Sequence, residues 1–100
     1  MIKLIRIDDR LVHGQVATYY VNMTGADTIL VANDKYATNA MLKNTLKIAK
    51  PVNCKMPVRT IDDAILYLNN PEKANRTILL IVGSTADALK ICKSIDKGQE

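Results

Sequence analysis

The chain is poor in the residue types that announce many kinds of chemistry. Among its 100 residues there is one histidine, His13, and there are two cysteines, Cys54 and Cys92. Two cysteines so far apart offer neither zinc-site spacing nor a redox pair. Each has an apolar residue within two positions, so both are expected to be buried thiols. No apolar run approaches the ~20 residues that span a bilayer; Ile78–Val82 is only a strand's length. The start, Met1-Ile2-Lys3-Leu4, enters a strand pattern with no signal-peptide layout, and the expected location is the cytoplasm. The formal charge is +4, but its lysines are scattered singly and no aromatic residues interleave them. That argues against nucleic acid and for solvated helix faces with a mild attraction to anions. Linkers, repeats and low-complexity segments are also lacking.

What is present is an ordinary globular composition, 48% hydrophobic and 24% charged. It suits a single domain spanning residues 1–100. Four strand-helix units can be traced. Residues 2–8 form a β-branched strand, followed by a polar loop from Asp8 to Gly14. Val16, Tyr19, Tyr20 and Met23 then recur at helical spacing, and Gly25 breaks that helix. Residues 28–32 form a second strand. Asn33 and Asp34 cap a helix with Leu42, Leu46 and Ala49 inward and Met41, Thr45 and Ile48 beside them; Pro51 stops it. Residues 52–58 form a weaker strand, with Pro57 at its end or on an edge. Thr60 caps a helix burying Ile61, Ile65 and Leu68, closed by Asn69-Asn70-Pro71. Residues 77–82 form the most apolar strand, and Gly83-Ser84-Thr85 opens a last helix through Ala88, Leu89 and Cys92.

This alternation predicts an open α/β sheet, mainly parallel, with helices on both faces. Because the chain ends soon after a helix, the strand at 77–82 is expected at the sheet's edge unless a partner or further chain covers it.

In such sheets ligands bind beyond the carboxyl ends of the strands. The first of these ends carries Asp8, Asp9, Arg10, His13, Gly14 and Gln15. Imidazole is nucleophilic at neutral pH and can carry a phosphoryl group. The Arg10 guanidinium can fork onto phosphate oxygens. A helix starting near Gly14 offers unpaired N–H groups, and the glycine admits close approach. Asp8 or Asp9 can orient Arg10 or the imidazole. The residues equally allow a plainer account, with His13 a surface residue, Arg10 in a local ion pair and Gly14 serving a turn. At the other strand ends Lys35, Arg59, Ser84 and Thr85 are candidates to face an anion, although caps and solvated charges explain them as well. The loop has no G-x-G-x-x-G and no P-loop lysine, against a nucleotide site, and a receiver-type domain would carry phosphate on a carboxylate.

Residues 7–18 (IDDRLVHGQVAT) closely resemble the active-site segment of the IIB component of the mannose/fructose/sorbose family of bacterial sugar phosphotransferase systems. Residues 24–34 (TGADTILVAND) continue the resemblance, and the later regions follow the family's layout. The resemblance implies a transferase, a protein-N-phosphohistidine–sugar phosphotransferase, with an open α/β fold. His13 would take a phosphoryl group at Nδ1 from the IIA component. It would then pass the group to a sugar moving through the membrane subunits IIC and IID, with which the protein would associate peripherally. Arg10 would bind phosphate and Asp8 shape the loop. Gly14 and Gln15 would add phosphate contacts at the helix start, with Asp9, Ser84 and Thr85 as lesser candidates. No metal or other cofactor is implied, and homo-oligomers are an open arrangement. Members of the family are about half as long again, with further strands after the fourth. An alternative is a shortened regulatory or binding module that docks IIA, or is phosphorylated without completing transfer.

Overall fold

A computed structural model describes residues 2–8, 14–51, 54–73 and 75–95. The strands β1 (Ile2–Ile7), β2 (Thr28–Ala32), β3 (Val58–Arg59) and β4 (Ile78–Val82) are all parallel. They form one sheet in the order β1-β4-β2-β3. The helices are α1 (Gly14–Thr24), α2 (Asp34–Ala37), α3 (Ala40–Ile48), α4 (Ile61–Asn69) and α5 (Thr85–Ser94), with a 3₁₀ turn at Pro71–Lys73.

The two central strands, β2 and β4, are buried at every position. Their alternating side chains feed two cores. Ile29, Val31, Leu79 and Ile81 meet Ala17 and Tyr20 of α1 and Leu46 of α3 on one face. Leu30, Ala32, Leu80 and Val82 meet Ile61, Ala64 and Leu68 of α4 and Ala88 and Ile91 of α5 on the other. Full burial of such a side chain contributes about 1.5–3 kcal/mol, so these layers dominate the fold's stability. In β1 the register shifts between Ile2 and Leu4. The irregularity puts Ile2 and Ile5 on the α5 face and Leu4 on the α1 face.

Helix starts follow the expected capping chemistry. Asn33, Thr60 and Ser84 each accept a bond from the amide three residues on. The segment expected as one helix after Asn33 is two, because Asn39 caps a second start through the Leu42 N–H. α1 ends at Gly25, whose φ of 71° lies in the left-handed region.

Several expectations are corrected. The strand at 77–82 is not at the edge: β4 lies between β1 and β2, and the outer strands among the described residues are β1 and β3. The inward face of α1 is rotated, with Ala17 buried while Tyr19 and Met23 are mostly exposed. A small residue is what the close approach of helix to sheet accommodates. In α5 the inward position belongs to Ile91, so Cys92 is exposed, whereas Cys54 is buried as expected. The third strand is shorter than expected, two residues plus an isolated bridge between Thr28 and Lys55, with Pro57 between them. Residues 52–53 lie outside the described residues.

Candidate functional site

β1 sends the chain to α1 on one face, and its neighbour β4 sends it to α5 on the other. Adjacent parallel strands with connections on opposite faces leave a crevice at their carboxyl ends, where ligands of open α/β sheets bind. Ile7 pairs with Val82. The ladder runs one residue further, because the Asp8 N–H donates to the Val82 carbonyl at 2.9 Å. Asp8, half-buried, therefore sits beside Gly83-Ser84-Thr85. The chain re-enters described structure at Gly14, the first residue of α1. His13, Arg10 and Asp9 lie outside the described residues; so does the side chain of Gln15. What is fixed is where their loop leaves and where it returns.

Ser84 is the N-cap of α5, its hydroxyl oxygen accepting from the Asp87 N–H at 3.2 Å. A capping hydroxyl keeps its own proton for another acceptor, and Ser84 is exposed, as is Thr85. The β1–β4 pairing brings these two close to Asp8, the last described residue before the chain resumes at Gly14. The other strand ends lie further off. With neighbouring strands ~4.8 Å apart, β2 is roughly 10 Å from β1 and β3 roughly 14 Å. Lys35 follows β2, and Arg59, on β3, borders a separate groove near Lys55 and Tyr67.

One residue has a larger part than its sequence position suggests. Asn33, not Asp34, caps α2. Asp34 instead reaches across to accept from the Ile61 N–H at 2.8 Å, at the start of α4. The Asn33 N–H meets the Arg59 carbonyl at 2.9 Å, so the loops after β2 and β3 are tied twice. The adjacent pair Asn33-Asp34 was the available signal, since one helix start needs only one of them.

On the α1 face of β1, the Arg6 guanidinium lies 4.4 Å from the centre of the Tyr20 ring. Tyr20 also meets Tyr19 edge-on at 5.1 Å. This stack fastens α1 to the strand that launches the loop, about two turns into the helix.

Residues 2–98 match the family described as the sorbose subfamily IIB component of the phosphotransferase system. The chain belongs to that family. It is 42% identical over 95 residues to a "probable phosphotransferase enzyme IIB component" of Streptococcus pyogenes, covering 95% of this chain and 58% of that protein. It is 33% identical over 91 residues to the mannose-specific EIIAB component of Escherichia coli, covering 91% of this chain and 28% of that protein. Its fold matches the crystal structure of the IIBSor domain of the sorbose permease from Klebsiella pneumoniae with a TM-score of 0.88. The two are 30% identical, and the match covers 94% of this chain and 58% of that one. The IIB chain thus spans little more than half the length of the IIB relatives it matches. Among its described residues no helix is long and apolar enough to cross a membrane.

Proposed function

We propose that this IIB chain is a phosphoryl carrier. His13 accepts a phosphoryl group from a phosphohistidine of a IIA component and passes it to a sugar during uptake through IIC and IID subunits. The observation that carries the reading is that Asp8 leaves β1 beside Gly83-Ser84-Thr85 and that the described chain resumes at Gly14, the first residue of α1. A nucleophile at His13, between those two points in the chain, is served in this reading by the amides of α1 and the exposed hydroxyls of Ser84 and Thr85. The mannose-specific EIIAB relative, whose designation joins A and B components, supports a IIA-type donor.

In the first step the His13 Nδ1 lone pair forms a bond to phosphorus while the donor's P–N bond breaks and returns its electron pair to the donor imidazole. In the second a sugar hydroxyl oxygen bonds to phosphorus, the bond to His13 breaks, and the hydroxyl proton leaves to a base or water. Charge on the transferring group is met by the fork of Arg10 and by N–H groups at Gly14 and Gln15. Asp8 orients the loop, and Asp9 is a secondary orienting residue. The working place is the cytoplasmic side of the transporter.

A second reading, a regulatory or binding module that is loaded without completing transfer, draws on β1. This launching strand is only partly buried, and no strand pairs with its outer side among the described residues. Incubation with the general phosphotransferase proteins and labelled phosphoenolpyruvate tests both. An acid-labile, base-stable label lost in His13→Ala is the expected result, and a label that survives that substitution refutes the assignment. Label on His13 without sugar phosphate, in membranes holding IIC and IID, selects the second reading.

A further inference from the structure

At the opposite side of the sheet from the β1/β4 crevice, beside the outer strand β3, lies an open groove of about 600 Å³. Its rim carries Lys47, Lys50, Lys55, Arg59 and Arg76, and among the described residues no aspartate or glutamate lines it. Its floor is apolar, with Met56, Pro57 and the buried Cys54, and Tyr67 forms one side. The cations come from separate parts of the chain: the last turn of α3, the segment leading into β3, β3 itself and the approach to β4. Asp27 bonds Thr28 through its side chain, and Asp63 stands in an adjoining hollow beyond Arg59.

The floor is anchored rather than loose. Lys50 Nζ donates to the carbonyls of Pro51 at 3.3 Å and Cys54 at 3.0 Å. The carbonyls of Lys55 and Pro57 accept from Ile29 at 2.7 Å and Val31 at 3.0 Å in β2. Alternation along an extended segment therefore turns the backbone N–H and C=O of Met56, between them, away from β2 toward the groove. Such an outward pair at a sheet edge is what an added extended chain bonds to.

We propose that this groove docks an extended acidic peptide segment of a partner protein, its carboxylates on the lysine and arginine rim and an apolar side chain on the Met56–Pro57 floor. A single phosphate would use only part of this charge and none of the apolar floor. A nucleic-acid strand would call for more stacking surface than Tyr67 provides. A membrane would meet a concave surface rather than a flat one. Because the groove lies at β3, separated by β2 from the β1/β4 crevice, a partner held there leaves that crevice open.

The test is fluorescence anisotropy of the 100-residue chain with a labelled synthetic dodecapeptide of alternating Glu and Leu-rich steps. A Gln-for-Glu version and vesicles of phosphatidylglycerol with phosphatidylcholine run alongside. We expect saturable binding of the acidic peptide, weakening steeply with salt, and little binding of the Gln version. Lys47→Glu with Lys55→Glu, both exposed residues, should weaken binding about tenfold or more. Lys93→Glu on α5 should leave it unchanged, and Lys47→Gln with Lys55→Gln gives a milder pair should charge reversal impair folding. Peptide binding insensitive to salt or to both lysine pairs overturns the proposal. So does capture by the vesicles with none by the peptide.

Discussion

The Asp34 carboxylate and the Ile61 amide, far apart in sequence, are joined by a hydrogen bond of 2.8 Å at the carboxyl edge of the sheet. It is a charge-assisted contact that supplies one of the acceptors the first turn of α4 needs. Asp34→Ala should cost about 1–2 kcal/mol of stability. Asp34→Asn, which keeps an oxygen at the same reach, should cost less. Urea denaturation of the three proteins checks the order.

At Gly25 the left-handed backbone is required, yet a Cβ would have nothing within 4 Å. The penalty of Gly25→Ala is therefore conformational and not steric, about 1 kcal/mol. Gly25→Asn should recover part of it, because asparagine tolerates this region. Thermal melts of the two variants give the comparison.

The thiols should behave as two distinct populations. Cys92 is exposed and should react with a disulfide reagent in the native protein, while Cys54 should react only on unfolding. Burial pushes the Cys54 thiol up, against smaller opposing effects of a hydrogen bond from the Ile29 amide and of Lys50, with Asp27 adding slightly to the rise. A raised folded-state value means that the contribution of Cys54 is intact below the ordinary thiol range. It is lost as pH rises through and beyond that range. Cys54→Ala should flatten this alkaline decline, as measured by denaturation midpoints across the range.

Arg10→Lys keeps the positive charge but loses the planar fork. Transfer from IIA should slow at least several-fold, read as the rate of label appearing on the chain. An unchanged rate would remove Arg10 from the phosphate contacts.

Local order was well encoded in the sequence and global order was not. Asn33, Thr60 and Ser84 signalled their caps because that chemistry is local, and the strands were marked by β-branched runs. The insertion of β4 between β1 and β2 has no local signature, since any of several strand orders satisfies the same runs. In α1 the large Tyr19 and Met23 share the helical spacing, but Ala17 is the residue small enough to meet the sheet. Cys92 was displaced from the core by its neighbour Ile91 in the same way. For the site the balance is reversed. The string from Asp8 to Gln15 carries its own message in residue types, and the fold contributes the pairing of Ile7 with Val82 that sets Ser84 and Thr85 close to Asp8.

The position of β4 also orders events during synthesis. Among the described strands β1 bonds to β4 alone, and β2 meets β1 only through it. Until the ribosome has released residue 82, the first strand has no described partner to zip onto. Assembly of the site is thus a late, long-range closure. It would be slow compared with helix formation, and a nascent chain should acquire protease resistance abruptly once β4 emerges.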